Sequence, residues 1–291
     1  MKFSYQVGMC EPDHYLPLAR AAEAAGYDGI SVPDSICYPQ EASSKYPYNK
    51  DGSREFLESV PFVESLICVA AMAAVTETIE FATFVYKFAV RQVPVVAKQV
   101  QGIQVLSGNR FVFGVGISPW EEDFAICNVP WEKRGQRLDE QIDIFRGLET
   151  GEFFSYEGEI HKMPANKMNP VPSEPTPVLI GGHAEPALKR AARVGDGWIG
   201  AGQSIDDALK TVAQLNALRA EYGRSNEPFH MIVPLYGAEP NNLDEIKRLV
   251  DAGVEGIVSL PFAFNVGPNS TLDQKRAYLE SYANDIIAKI R

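Results

Sequence analysis

The chain has 291 residues, of which 45% are hydrophobic and 22% charged, and a formal net charge of −11. This is enough apolar mass for one large core, and the length suits a single α/β barrel. The acidic balance, with no basic patch interleaved with aromatics, argues against nucleic acid as a partner. No apolar run reaches the ~18 residues that a bilayer span needs.

Strand-length apolar runs alternate with helical patterns along the whole chain. Strands are predicted over residues 3–8, 28–33, 79–85, 111–116, 178–181, 197–201, 230–235 and 256–261. Most are continuous apolar runs, as parallel strands covered on both faces require. Helices are predicted over residues 15–25, 62–75, 94–106, 133–148, 185–194, 206–222, 242–252 and 273–290. Three helix ends share one phrase: Ala24-Ala25-Gly26-Tyr27-Asp28-Gly29-Ile30, Arg193-Val194-Gly195-Asp196-Gly197-Trp198-Ile199 and Asp251-Ala252-Gly253-Val254-Glu255-Gly256-Ile257. Each reads as a helix closed by a glycine cap, a polar turn, and a strand.

Strict strand–helix alternation implies a parallel sheet with right-handed crossovers. Eight such units in one domain spanning 1–291 favour closure as a (β/α)8 TIM barrel. An open doubly wound sheet is the alternative, but the first turn, Gly8-Met9-Cys10-Glu11-Pro12, lacks Gly-x-Gly-x-x-Gly. Two connections are long. Residues 35–61, after strand 2, lie on the face where barrel active sites are built, and Tyr38, Tyr46, Tyr48 and Phe56 suggest an aromatic-lined lid. Residues 151–177, before strand 5, carry five prolines and start near the opposite face. They must cross to reach the site, or serve packing or assembly.

The four cysteines (Cys10, Cys37, Cys68, Cys127) show no CxxC spacing, and the four histidines (His14, His161, His183, His230) form no HxH or HExxH pattern. Neither a disulfide framework nor a metal site is expected. The N-terminal residues read as a strand without an apolar signal region, so a cytoplasmic enzyme is expected.

Several strand exits carry residues suited to chemistry. Gly181-Gly182-His183 opens the helix after strand 5, where bare backbone N–H groups and a helix N-terminus suit a phosphate; a tight turn with nothing bound is the competing reading. Gly116-Ile117 ends strand 4 and leads to Trp120-Glu121-Glu122-Asp123-Phe124. There an acid beside rings can donate a proton, or the acids can simply form a solvated first helical turn. Asp34-Ser35 can bond a ring edge or cap a loop. Phe84-Val85 can line an aromatic ligand or pack in the core. Glu64 reads as the exposed position of helix 62–75. Lys189, Arg190 and Arg193 can meet an anionic tail or form a solvated face. Without metal ligands or an evident nucleophile, a bound cofactor is the expected source of chemistry.

Lys98-Gln99-Val100 through Leu106-Ser107-Gly108-Asn109-Arg110-Phe111 and Phe113-Gly114-Val115-Gly116 resembles a phrase of the luciferase-like monooxygenase superfamily. So do Arg134-Gly135 to Asp139-Glu140, and Pro177 to Gly182 followed by Ala187-Leu188-Lys189-Arg190-Ala191-Ala192 and Gly195-Asp196-Gly197-Trp198. The likeness is nearest to the branch that uses coenzyme F420, a deazaflavin with a phosphate-linked tail; flavin mononucleotide (FMN) is the alternative. It implies an oxidoreductase moving a hydride between F420 and a small organic substrate. An FMN-dependent monooxygenase with a separate reductase, or a non-catalytic flavin-binding barrel, are the rivals.

By position, the resemblance places Asp34 and Ser35 at the ring's polar edge. Phe84 and Val85 would form a bulge with a non-prolyl cis peptide behind the ring. Gly116 and Ile117 would flank the cofactor, Gly181, Gly182 and His183 would hold its phosphate, and Glu121 or Glu122 would be the catalytic proton donor. A homodimer is also implied. The chain departs from the family pattern at Ser35, Ser118-Pro119 and Asn109.

Overall fold

The computed structural model describes residues 1–46, 51–235 and 240–291. Eight parallel strands form the barrel: β1 (Lys2–Gln6), β2 (Gly29–Val32), β3 (Glu80–Thr83), β4 (Phe111–Gly116), β5 (Val178–Ile180), β6 (Gly197–Ile199), β7 (His230–Pro234) and β8 (Gly256–Ser259). Neighbours pair in sequence order. The ring closes between β8 and β1, with Lys2 opposite Gly256. Closure removes every exposed strand edge, which is what eight consecutive βα units make possible.

The helices packed around the barrel are α1 (Tyr15–Ala25), α2 (Ser65–Ala73), α3 (Val93–Ser107), α4 (Arg134–Glu149), α5 (Glu185–Val194), α6 (Ile205–Glu221), α7 (Leu243–Asp251) and α8 (Leu272–Tyr282). Their inner faces meet the outward side chains of the strands, such as Phe3, Phe81, Phe113, Ile180 and Trp198, in one continuous core. The barrel interior is a separate, smaller cluster: Leu179, Ile199 and Val258, with Phe84, Val85, Val112 and Ile232 packed against it.

Some local expectations need correction. Helix α2 begins at Ser65 rather than at 62, because Glu64 is its N-cap: its carboxylate accepts the Ile67 N–H at 2.8 Å and the Tyr86 hydroxyl at 3.2 Å. Glu64 is therefore a capping group and not a free exposed position. The last helix is interrupted, since Ala283–Ile287 form a π turn.

The three similar helix ends also differ in backbone. Gly26 and Gly253 have φ of 91° and 83°, whereas Gly195 is extended at φ −77°. Gly195 is required by crowding instead: a Cβ there would lie 2.9 Å from the Ala191 carbonyl oxygen and 3.0 Å from Ile180. One sequence phrase thus serves two physical needs.

The connection 151–177 packs against α4. It folds into an antiparallel hairpin of Phe154–Glu157 and Lys162–Asn166, which the proline-rich sequence did not suggest. Glu140 on α4 fastens it, accepting N–H groups from Glu159, Ile160 and His161 at 2.8–3.1 Å. Of the two sequence expectations for this segment, packing against the barrel's flank is the one observed.

Candidate functional site

The site forms at the C-terminal mouth, where chain irregularities set the geometry. Strand β3 pairs with β4 through Phe81 and Phe111, then breaks. Pairing resumes with Tyr86 opposite Val115 and Lys87 opposite Gly116, so the β3 side carries one extra residue. The Phe84–Val85 peptide bond inside this bulge is cis. Both side chains are half-buried, resting on the interior cluster below and exposed toward the mouth above.

Two glycines make room for this bulge. A Cβ at Gly116 would lie 2.8 Å from a Val85 methyl, and a Cβ at Gly181 would lie equally close. The exits of β3, β4 and β5 therefore converge on Val85, giving an apolar floor with unhindered backbone at its sides. Ile117, also half-buried, packs against the outer core beside it.

From this floor the chain passes Gly182, at φ +109°, into α5. The helix starts after Ala184, which supplies no side-chain cap. Alanine is a poor N-cap; Pro186 has no N–H and the Ala187 N–H donates to the Ala184 carbonyl at 2.8 Å, so among the described residues the Glu185 N–H is the first-turn donor left open.

His183 is not a free cation beside them. Its Nε2 lies 2.7 Å from the Ala201 nitrogen and 2.9 Å from the Ala201 oxygen, and its ring meets Trp198 edge-on at 5.3 Å. Burial lowers its pKa below 6.5, which keeps the ring neutral at neutral pH. The Trp198 indole in turn donates to the Gly182 carbonyl at 2.8 Å. His183 thus ties the β5 exit to the β6 exit.

At the β2 exit, Asp34 is fully enclosed. Its carboxylate takes both guanidinium nitrogens of Arg91, at 2.7 and 2.9 Å, the Lys87 N–H at 2.7 Å and the Ser65 hydroxyl at 3.2 Å. The expectation that Asp34 points at a ring edge meets a carboxylate already committed to protein donors. Its neighbour Ser35 lines a pocket of about 180 Å³ with Tyr38, Leu57, Phe62, Trp120 and Asp123.

Of the segment 35–61, expected to be an aromatic-lined lid, Tyr38 lines this pocket together with Ser35, Ile36, Leu57 and Val60, and Tyr48 lies outside the described residues. Tyr46 stacks on Trp120 with centroids 5.8 Å apart, and Phe56 packs on Tyr46 at 5.5 Å.

The three acids after Trp120 separate sharply. Glu121 is exposed. Glu122 accepts the Ser43 N–H at 2.6 Å and its hydroxyl at 3.1 Å, latching the covering loop. Burial alone would raise the Glu122 pKa, but these donors outweigh it and hold the group below the ordinary carboxylate range. A general acid needs the opposite shift, so this environment suits a latch better than a proton donor.

Asp123, which the sequence did not single out, is buried, 2.7 Å from the Lys87 ammonium, and accepts the Ser118 hydroxyl. Lys87 and Arg91 were also missed. The available signal was a lysine inside the apolar run from Phe84 to Val90, because a charge there is costly unless paired.

The basic residues of α5 do not reach the mouth as an anion clamp. Arg190 and Arg193 both pair with Asp139, and Lys189 pairs with Glu185. Two of the family departures fall at positive φ, Asn109 at 63° and Ser118 at 64°; asparagine tolerates this conformation better than most residues.

The luciferase-like monooxygenase family model matches residues 4–284. The chain belongs to that family. It is 45% identical to uncharacterized protein Rv0940c of Mycobacterium tuberculosis over 293 residues, covering all of both chains. It is 23% identical over 308 residues to an F420-dependent glucose-6-phosphate dehydrogenase of Amycolatopsis mediterranei, covering 95% of this chain and 88% of the relative. Among solved structures, monooxygenase RslO1 of Streptomyces bottropensis superposes with a TM-score of 0.76 at 16% identity over all of both chains. The F420-dependent tetrahydromethanopterin reductase of Methanopyrus kandleri gives 0.75 at 14% identity, covering 100% of this chain and 99% of that one. The protein is an oxidoreductase of TIM-barrel fold. Among the described residues no helix is long and apolar enough to cross a membrane.

Proposed function

We propose that the protein is a coenzyme F420-dependent oxidoreductase acting on a small organic molecule. The observation that carries this reading is the convergence on Val85. Its half-exposed surface, bordered by Gly116 and Gly181, is a floor for a flat ring, and Gly182 with the uncapped start of α5 lies beside it. A planar ring joined to a phosphate-bearing tail fits both features at once. F420, when bound, supplies hydride chemistry that no side chain here offers.

In this reading Phe84 and Val85 back the ring, and Gly116 and Ile117 border it. Gly182 and His183 present backbone N–H groups to the phosphate, and Gly181, whose own N–H donates to the Val115 carbonyl at 2.8 Å, leaves room beside them. Asp34 and Ser35 shape the β2 side. Of the two acids considered as proton donor, Glu121 is preferred, because Glu122 is held ionised by Ser43. F420 is favoured over FMN because a relative matched along most of the chain is named as F420-dependent. The family's own description and the monooxygenase of Streptomyces bottropensis keep an FMN monooxygenase, served by a separate reductase, as the second reading. A homodimer belongs to the same family reading, and a cytoplasmic location is kept with it from the cysteine pattern and the N-terminal residues.

Titration of the purified chain with F420 and with FMN separates the two. Tight F420 binding, weakened at least tenfold by Gly181→Val, is expected. Tight FMN binding with no measurable F420 binding sinks the proposal.

A further inference from the structure

The mouth contains a polar centre that the cofactor reading does not use. Lys87 and Asp123 form an ion pair with side chains only 10% and 3% exposed, and Asp123 lines the pocket beneath the covering loop. Asp123 is the one ionic partner of the Lys87 ammonium among the described residues. An ammonium carries three donors, so Lys87 retains capacity beyond this pair. Asp123 receives Lys87 and Ser118 on the same oxygen, Oδ2, and its Oδ1 has no protein donor among the described residues.

The pair is held from behind. The Lys87 N–H donates to Asp34, and the Lys87 carbonyl accepts from Arg91 at 2.9 Å, so the Asp34–Arg91 ion pair grips both sides of the Lys87 backbone. Two buried ion pairs in series are an expensive arrangement for stability alone, because well-packed apolar residues usually do as well. Beside Asp123 the pocket walls are Ile36, Tyr38, Leu57, Phe62 and Trp120, with Arg54 and Glu58 also lining it.

We propose that Asp123, held in place by Lys87, is the substrate anchor of this pocket, accepting a hydroxyl of a neutral molecule about the size of one six-membered ring. Asp34 and Arg91 are the positioning residues behind the anchor. Neutrality follows from charges that already balance: Asp123 is paired with Lys87, and the other two charged residues that line the pocket, Arg54 and Glu58, are of opposite sign, so a charged ligand would leave one charge uncompensated. The size follows from the pocket's 180 Å³, since a cavity of roughly 150 Å³ accommodates benzene. The free Oδ1 of Asp123 can accept a hydroxyl proton, while Lys87 holds Oδ2. The inference rests on reading this mouth as an enzyme site, and not on which cofactor it takes.

Benzyl alcohol and toluene test it, because they share a ring and differ in the hydroxyl. Each is titrated into the full-length chain, followed by ligand-observed NMR, with no cofactor added. The double variant Lys87→Met/Asp123→Leu replaces the pair with apolar groups of similar volume, a change that buried ion pairs often tolerate. Its alcohol-to-toluene affinity ratio is expected to fall about tenfold or more below wild type, as the loss of hydrogen bonds to charged groups implies, with toluene bound no more weakly. Lys87→Arg is expected to recover part of the ratio. A ratio unchanged within twofold, or no benzyl alcohol binding to wild type, overturns the proposal; the wild-type measurement decides even where the double variant fails to fold. If the ratio behaves as expected and F420 does not bind, the anchor stands and the cofactor reading falls.

Discussion

The two long connections look alike in sequence and do different things. Both are rich in proline and polar residues, and both exceed the usual length of a barrel loop. Residues 35–61 leave the C-terminal end of β2, and their described part lines a pocket and is held by side-chain contacts such as Glu122 with Ser43, Tyr46 on Trp120 and the Tyr15 hydroxyl on the Pro61 carbonyl. Residues 151–177 fold on themselves as a hairpin and are gripped by Glu140 through three consecutive backbone N–H groups. The side of the barrel from which a loop departs, rather than its composition, decides whether it can serve the site. Its fastening then follows: a few reversible contacts over the pocket, a ladder and a multidentate carboxylate on the flank.

This contrast can be broken by mutation. The largest effect is expected from Glu140→Ala, which removes the acceptor for three N–H groups and the partner of His161. A loss of about 2 kcal/mol of stability in chemical denaturation is expected, in line with hydrogen bonds to a charged group, with ligand affinity at the mouth unchanged. Equal loss of affinity would mean that the hairpin reaches the site.

Trp120→Ala comes next. It removes the stacking surface for Tyr46 and one wall of the pocket. Limited proteolysis within 35–61 should accelerate several-fold while the melting temperature moves by only a few degrees. A cooperative loss of global stability would show that this loop is part of the core.

Acid pH should loosen both fastenings. Glu140 and Glu122 are each held below the ordinary carboxylate range: burial opposes the shift, and backbone N–H donors outweigh it. A depressed folded pKa stabilises fully above the unfolded value, about 4.3, and that contribution disappears as pH falls through the folded value. Hydrogen exchange of residues 159–161 and of Ser43, compared between pH 7 and pH 3, should show accelerated opening on the acid side only. The smallest effect belongs to Ser43→Ala, which removes one hydroxyl among several donors to a partly exposed carboxylate. It should change stability by well under about 1 kcal/mol, and a larger change would give that latch a structural weight its exposure does not suggest.

Much of the barrel was legible in local sequence. The eight strand–helix units, their order and most boundaries follow from periodicity and turn chemistry, which are properties of short windows. The family motifs were legible too, but many of their residues turn out to be fasteners. Arg110 donates to the carbonyls of Ala73, Thr76, Ile79 and Ser107, and Asp196 accepts the Val178 N–H and Arg146. Conspicuous sequence patterns at turns therefore marked structure as often as site.

What the sequence determined by itself was the sequence of elements, the closed parallel barrel they imply, and the glycines at the β4 and β5 exits. Each depends on one residue's backbone freedom or on a repeat within a dozen positions. What only the tertiary structure decided was which polar groups meet. Asp34 reaches Arg91 and Lys87, Glu122 reaches Ser43, and Lys87 reaches Asp123. These partners are separated by tens of residues, and a carboxylate's role is set by the charges and donors around it rather than by its neighbours in the chain. That is why the run Glu121-Glu122-Asp123, uniform in sequence, resolves in space into an exposed acid, a loop latch and one half of a buried ion pair.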